Sequence, residues 1–128
     1  MIIISTTLSL FKGDTVRAKE TVAAWIKQKS YVQLMNSIGS VFKNPPLEVC
    51  LPIWGEQKST GWIIDNELHL KEYAIGDAQI SPLHANFIIN NGHATASDYL
   101  KLIKYIQSQA LEKLNLNLEP EIKFLGQF

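Results

Sequence analysis

The sequence predicts an α+β fold, in which a small, mainly antiparallel or mixed sheet has helices packed on it. Segments with the period of a helix and segments with the alternation of a strand both occur along the 128 residues, but without regular alternation. This order favours helices gathered on one side of the sheet over a repeated strand–helix unit. The length is near the commonest size of one domain, and no linker or internal repeat interrupts it. We therefore predict a single domain over residues 1–128.

The helix after residue 95 has the strongest sequence signal. Thr95 and Asp98 fit the capping-box pattern, in which each side chain satisfies a backbone amide at the start of the helix. The apolar residues that follow recur at helical spacing and would form one buried face: Leu100, Ile103, Ile106, Ala110, Leu111 and Leu114.

Two further helices are predicted nearer the N-terminus. The first would be capped by Asp14 or Thr15 and end near residues 28–30. The second would cover residues 61–66 and be capped by one of the hydroxyl residues at 59–60. The apolar positions of the first helix are Val16, Val22, Ala23 and Ile26.

Strands are predicted in four segments. β-Branched residues and an apolar alternation favour a strand over residues 1–11. Residues 73–80 and 86–90 would form two more, separated by a Ser-Pro turn. Residues 118–125 alternate and would form the last strand. Its two faces would carry Leu118, Ile122 and Phe124 on one side and Glu119, Glu121 and Lys123 on the other.

The middle of the chain has weaker signals. Residues 31–46 are mixed and end at Asn44-Pro45-Pro46, which requires extended backbone. Residues 47–60 contain Pro52 and Gly55 and are predicted to be a surface loop.

Composition and motifs exclude several classes of function. Twelve basic and twelve acidic residues cancel, which disfavours binding to a nucleic-acid backbone or to an anionic membrane surface. Cys50 has no second cysteine to pair with, which fits a reducing, cytoplasmic location, and no export signal or membrane span is predicted. The three histidines are too scattered for a metal site. The seven glycines form neither a dinucleotide fingerprint nor a phosphate loop.

Three separated segments carry a resemblance to one enzyme family. They are residues 39–45 (Gly-Ser-Val-Phe-Lys-Asn-Pro), 85–90 (Ala-Asn-Phe-Ile-Ile-Asn) and 118–122 (Leu-Glu-Pro-Glu-Ile). In this order they resemble the C-terminal domain of UDP-N-acetylenolpyruvoylglucosamine reductase, from about residue 37 onward. The resemblance implies the substrate-binding half of a flavoenzyme. That enzyme uses NADPH to convert UDP-N-acetylglucosamine enolpyruvate to UDP-N-acetylmuramate for bacterial peptidoglycan.

The resemblance also implies two catalytic residues. Ser40 matches the serine that protonates the α-carbon of the substrate after hydride has reached the β-carbon. Glu121 matches the glutamate that stabilises the enolised carboxylate or relays the proton. From the residues alone, Ser40 could instead follow a glycine merely to make a turn, and Glu121 could be an exposed strand glutamate. Glu119 lies on the same predicted face, but the resemblance gives it no role.

Three more residues are implied at the nucleotide end of the substrate. Asn44 matches an asparagine that contacts the diphosphate, and Lys43 beside it could add a positive charge. His84 occupies a position where relatives place a polar residue near the nucleotide. Lys43 and His84 could equally be ordinary solvated side chains.

The family's FAD- and NADPH-binding part has no counterpart in this sequence. We therefore expect neither cofactor to bind to this chain alone, and expect the missing flavin domain, in cis or in trans, as its partner. Two departures from the family pattern are Asn36, where relatives carry proline, and the length of segment 47–60. They leave open a non-catalytic relative that binds a nucleotide sugar or a protein, and a folded remnant without ligand.

Overall fold

The computed structural model describes residues 3–30 and 36–126, and the chain forms two compact units, residues 1–30 and residues 31–128. In the first unit, helix α1 (Thr15–Ser30) begins where the sequence predicted. The Asp14 carboxylate accepts hydrogen bonds from the backbone amides of Val16 (2.9 Å) and Arg17 (3.1 Å), which satisfies two amides that would otherwise lack partners. No residue of α1 is buried.

The predicted strand over residues 1–11 is wrong for its described part, residues 3–11, and residues 1–2 lie outside the described residues. A strand is stable only when another strand satisfies its amides and carbonyls. Residues 3–11 have no ladder partner among the described residues, and their side chains are exposed, as in Ile4 (94%) and Phe11 (97%). The composition of residues 3–11 therefore favours a strand, but no neighbouring strand among the described residues pairs with them.

The second unit contains a four-stranded antiparallel sheet, which together with the helices confirms the predicted α+β class. Its spatial order is β1-β4-β3-β2, so β1 and β2 are the edges. The strands are β1 (Ser37–Ser40), β2 (Ala74–Ile75), β3 (Ala78–Ile80) and β4 (Phe87–Asn90).

Two strand predictions are refined by the sheet. The segment predicted as one strand over residues 73–80 is a hairpin, because Gly76 has a positive φ (57°) and turns the chain between β2 and β3. The prediction for residues 86–90 is confirmed as β4, which begins one residue later.

Residues 47–60 are not a loop, because helix α2 (Leu47–Trp54) occupies their first half. Gly55, which was interpreted as a loop residue, ends the helix instead. Its φ of 73° is left-handed, and its amide donates to the Leu51 carbonyl at 2.9 Å. Burial of Cys50 on the inner face fixes the helix against the rest of the unit.

The predicted short helix is confirmed as α3 (Thr60–Trp62), which continues as a π-helical turn (Ile63–Glu67). Ser59 is its cap, since the Ser59 hydroxyl accepts from the amide of Trp62 at 3.2 Å. Helix α4 (Ala96–Leu114) is also confirmed, with both bonds of the Thr95–Asp98 capping box present. The core lies between α4, the π-helical turn and one face of the sheet, around Phe42, Ile63, Ile64, Ile80, Ile88, Leu102, Ile103 and Ile106.

The last predicted strand, residues 118–125, is wrong as a regular strand. The segment makes one bridge, between Pro120 and Phe42, and two flanking backbone bonds. Pairing is limited to residues 119–121, and Pro120 fits there because the two flanking residues make the hydrogen bonds of this bridge. Leu118 is buried, but Phe124 is 43% exposed, so the predicted apolar face is only partly covered.

Candidate active site

A bulge in the edge strand β1 determines which way Ser40 faces. Ser37 pairs with Ile89 and Ser40 with Phe87, so three steps along β1 match two steps along β4. Gly39 lies inside this irregularity with φ of 85°, a conformation that glycine adopts without strain. The bulge thus shifts the register by one residue immediately before Ser40.

A one-residue shift exchanges the two faces of a strand. Without the bulge, Ser40 would lie opposite Asn86, on the face of the sheet whose residue Ile88 packs into the core. With it, Ser40 lies opposite Phe87 on the other face. Ser40 therefore ends a bulged strand rather than starting a turn, which corrects the alternative interpretation of the glycine before it.

Ser40 and Glu121 line the same cavity, of about 420 Å³. The lining residues are Ile38, Gly39, Ser40, Phe87, Glu121 and Ile122. Ser40 is half-buried and Glu121 is exposed. The cavity combines a hydroxyl and a carboxylate with apolar walls, which is an arrangement that can orient a small polar group and exchange a proton with it.

The segment 119–121 holds Glu121 at this cavity through main-chain pairing. The Glu121 amide donates to the Val41 carbonyl at 2.8 Å, and the Lys43 amide donates to the Glu119 carbonyl at 2.9 Å. Glu121 therefore sits beside the residue that follows Ser40. Glu119 instead forms an ion pair with Lys43 and lines a separate cavity.

Lys43 and Asn44 lie together in that second, smaller cavity of about 130 Å³. Both side chains are exposed, and the carboxamide of Asn44 is already partly engaged. Its oxygen accepts from the backbone amide of Thr60 at 2.9 Å, while the Thr60 hydroxyl donates to the Lys43 carbonyl at 2.6 Å. The NH₂ groups of Asn44 and Asn117 are donors at this cavity, and the Lys43 ammonium would have to leave Glu119 or bind between it and an anion.

His84 is not among the residues that line either cavity. Its ring stacks on Phe87, with centroids 4.4 Å apart and planes at 26°, so it adjoins the Ser40–Glu121 cavity through Phe87. Its Nδ1 atom accepts from the Asn86 amide at 3.2 Å, which leaves the Nε2 atom as the donor of the neutral ring. Gly61 lies against the His84 ring, because a Cβ added to Gly61 would come within 2.9 Å of the His84 Cε1 atom.

Sequence reasoning missed the residues that shape this site. Phe87, Ile38 and Ile122 form the apolar walls of the Ser40–Glu121 cavity, and the Gly39 bulge orients its hydroxyl. Phe87, Ile122 and Gly39 all lie in the segments that carried the resemblance, which was the available signal. No sequence pattern indicated the bulge, because it depends on the register with β4.

The described residues offer no metal centre, since no group of three or more histidine, cysteine, aspartate or glutamate side chains comes together within residues 3–30 and 36–126. Over the same residues, no helix is long and apolar enough to cross a membrane.

Comparisons with known proteins cover the part of the chain that contains this candidate site. Residues 27–125 match the family model described as UDP-N-acetylenolpyruvoylglucosamine reductase, C-terminal domain. The chain belongs to the UDP-N-acetylenolpyruvoylglucosamine reductase family. Ser40, Glu121, Lys43, Asn44 and His84 all lie within the matched residues.

Individual reductases of this family agree with the family model. The enzyme of Nostoc punctiforme is 49% identical over 92 residues, which are 72% of this chain and 24% of the relative. That of Myxococcus xanthus is 38% identical over 122 residues, or 94% of this chain and 36% of the relative. The chain thus spans about a quarter to a third of the length of these reductases.

A solved structure confirms the fold. The crystal structure of UDP-N-acetylenolpyruvylglucosamine reductase from Thermus caldophilus superposes with a TM-score of 0.63 at 34% identity. The match covers 88% of this chain and 37% of that one. The α+β arrangement described here is therefore that of the reductase family.

Proposed function

We propose that this chain is the substrate-binding portion of a reductase that converts UDP-N-acetylglucosamine enolpyruvate to UDP-N-acetylmuramate in the cytoplasm. Membership of the reductase family supports a role as part of an oxidoreductase in peptidoglycan synthesis. The observation that carries the finer proposal is the shared cavity of Ser40 and Glu121. These residues are 81 positions apart in sequence (121 − 40), so the fold has to bring them together.

In this proposal Ser40 supplies the proton of the reaction. Reduction of the enolpyruvyl double bond adds a hydride to one carbon and a proton to the other. A serine hydroxyl is a weak acid, but it can protonate a much stronger base that is held within hydrogen-bonding distance. The position of Ser40 at the end of a paired strand supports a fixed direction toward the cavity, because Ser40 pairs with Phe87 and the amide of the next residue, Val41, donates to the Asn86 carbonyl.

Glu121 would act on the carboxylate end of the enolpyruvyl group. The charge that develops on an enolised carboxylate is stabilised by a hydrogen bond from a protonated carboxyl, and the same group can relay the proton. Because Glu121 is exposed in this chain, closure of the site by a substrate or a further domain would be needed to exclude water from it.

The nucleotide end of the substrate would lie toward Lys43 and Asn44. Their ammonium and carboxamide donors suit the oxygens of a diphosphate. His84 would contribute near the nucleotide through its Nε2 donor and the stacked Phe87 ring. The short span of chain between Ser40 and Asn44 would link recognition of the diphosphate to the position of the proton donor.

FAD and NADPH would be held outside this chain, because no helix start among the described residues is suited to hold a diphosphate. The amides at the start of α1 and α4 are occupied by Asp14 and by the Thr95–Asp98 capping box. The first turn of α2 carries Glu48, whose charge would repel a phosphate. We therefore assign the hydride chemistry to the flavin-binding part of the enzyme, as a partner in cis or in trans.

The proposal is tested by NMR titration of the labelled chain with UDP-N-acetylglucosamine enolpyruvate, with UDP as a control. We expect saturable shifts at Ser40, Asn44 and Glu121, of which UDP reproduces only those near Asn44. Addition of the flavin-binding part of a related reductase should then give substrate-dependent oxidation of NADPH. A chain that responds to UDP but never supports oxidation would be the non-catalytic nucleotide-sugar binder. No response with that part present would contradict both functions.

A further inference from the structure

Asn86 forms an unusual connection to the segment that carries the proposed catalytic and phosphate-binding residues. It is buried, with 5% of its surface exposed, and its carboxamide bonds to both backbone groups of one residue. The Phe42 amide donates to the Asn86 side-chain oxygen at 3.0 Å, and the Asn86 side-chain nitrogen donates to the Phe42 carbonyl at 2.8 Å. The side chain thus replaces the backbone of a pairing strand.

The main chain of Asn86 adds a third bond one residue earlier. The Val41 amide donates to the Asn86 carbonyl at 2.9 Å, while on the other side the Val41 carbonyl accepts from the Glu121 amide at 2.8 Å. Asn86 therefore bonds to both Val41 and Phe42, and Glu121 bonds to Val41. A displacement at Phe42 would reach Ser40 through Val41, and would reach Glu121 through the Val41 carbonyl.

The Gly39 bulge explains why this connection is needed. Ser40 is the last residue of β1 that pairs with β4, and Asn86 lies just before β4 begins. Beyond the bulge a regular ladder no longer continues, so the backbone after Ser40 needs other partners to have one conformation. The Asn86 carboxamide supplies both a donor and an acceptor at that point, which among side chains only an uncharged amide, or a protonated carboxyl, can do in this geometry.

We propose that Asn86 is the positioning residue of this site: through Phe42 and Val41 it fixes where Ser40 and Glu121 stand at their common cavity. The catalytic meaning of this inference rests on the proposed function, but the geometric claim does not. Asn86 lines neither described cavity, so the proposed role is one of positioning and not of contact with the reacting atoms.

The substitution Asn86→Asp gives a test in which the size of the defect should depend on pH. An ionised carboxylate still accepts from the Phe42 amide, but it places an acceptor against the Phe42 carbonyl where a donor stood at 2.8 Å. A protonated carboxyl restores both bonds. Burial and the facing carbonyl both raise the pKa of this carboxyl, so the defect should grow as the pH rises above that pKa and fade as the pH is lowered below it.

The first readout is the amide spectrum of the labelled chain. In Asn86→Asp the signals of Ser40, Phe42 and Glu121 should shift at pH 7.5 and return toward those of the unmodified chain at lower pH, along one titration curve. Asn91→Asp is the matched control, because Asn91 is exposed and its side chain donates to the side chain of Gln79, away from the Phe42 segment. Spectra of the unmodified chain at each pH serve as the reference for titration of the other groups near the segment, which are His84, Lys43, Glu119 and Glu121.

The second readout is turnover with the flavin-binding part of a related reductase. We expect Asn86→Asp to lower kcat about tenfold at pH 7.5, the effect of one lost hydrogen bond, with a smaller change in KM. The ratio of variant to unmodified kcat should recover at lower pH. If the unmodified chain neither binds substrate nor turns over, the proposed function fails, and the amide signals alone decide the positioning role.

The inference is overturned if Phe42 shifts in Asn86→Asp while Ser40 and Glu121 keep their signals, or if the kcat ratio does not change with pH. If Asn86→Asp does not fold at pH 7.5, Asn86→Ser provides the same comparison with one hydroxyl in place of the amide. Shifts of Ser40 and Glu121 in that variant would support the role. Their absence in a folded Asn86→Ser chain would contradict it.

Discussion

The side-chain oxygen of Asn44 accepts a hydrogen bond from the backbone amide of Thr60 at 2.9 Å. This bond joins the proposed diphosphate-binding residue to the start of helix α3. Thr60 is fully buried, and its hydroxyl donates to the Lys43 carbonyl. The two hydrogen bonds of Thr60 therefore fix the Lys43–Asn44 segment against the start of α3. The oxygen of the Asn44 carboxamide therefore has a structural role, and its NH₂ group is free to bind a ligand.

The substitution Asn44→Asp separates these two roles. A carboxylate accepts from the Thr60 amide as the carboxamide does, so the free energy of unfolding should change by less than about 0.5 kcal/mol. It cannot donate to a phosphate and adds a like charge, so affinity for the UDP substrate should fall tenfold or more, about 1.4 kcal/mol. Urea unfolding and substrate titration measure the two effects. Equal affinity in variant and unmodified chain would remove Asn44 from the binding site.

Gly39→Ala tests the bulge. No atom lies within 4 Å of the position of an added Cβ, so the expected loss of stability, about 1–3 kcal/mol, comes from the positive φ alone. Gly55→Ala is the matched control, with φ of 73° and similarly open space, at the end of α2. Urea unfolding should show comparable losses for both variants. Only Gly39→Ala should shift the amide signal of Ser40, and identical Ser40 signals in the two variants would contradict the role of the bulge.

Glu121→Gln compared with Glu119→Gln distinguishes the two carboxylates of the C-terminal segment. Glu121 lines the cavity with Ser40, whereas Glu119 pairs with Lys43. Because both side chains are exposed, neither substitution should change stability by more than about 0.5 kcal/mol. With the flavin-binding part supplied, Glu121→Gln should lower kcat by about 10²-fold and Glu119→Gln should not. The reverse order in steady-state assays would reassign the catalytic carboxylate.

The capping box of α4 should make the chain sensitive to acid. Hydrogen bonds from the Thr95 backbone and hydroxyl lower the pKa of Asp98 below its ordinary value of 3.8. Because the pKa is lower in the folded state, this contribution is present above the ordinary value and is lost as the pH falls through the folded-state pKa. Thermal unfolding of the unmodified chain and of Asp98→Asn should differ at pH 7 and converge as the pH falls through the folded-state pKa. A constant difference would contradict this linkage.

The sequence was sufficient where a local pattern determines structure. The capping box and the apolar spacing predicted α4. Each of the other two starts had two candidate caps, of which Asp14 and Ser59 are the ones observed. The four residues of β1 include a glycine and two serines, which have little strand propensity. Only their pairing with β4 makes them a strand, so that element was not predictable from local pattern.

The same distinction holds at the site. The resemblance named Ser40 and Glu121, and the structure brings them to one cavity. It could not give the register shift at Gly39 or the role of Asn86, because both depend on contacts between distant segments. The resemblance placed His84 near the nucleotide, and the structure shows its ring stacked on Phe87, so its role stays a prediction.

The pairing of residues 41–43 also has a kinetic consequence. The partner of Phe42 is 44 positions away in sequence, and the residue whose carbonyl binds the Lys43 amide is 76 positions away. Contacts across such separations form late, because a long loop has to close before they contribute any stability. During synthesis, Ser40 therefore leaves the ribosome well before the residues that fix its direction. We expect the helices to protect their amides from hydrogen exchange earlier in refolding than the Val41–Glu121 pairing does.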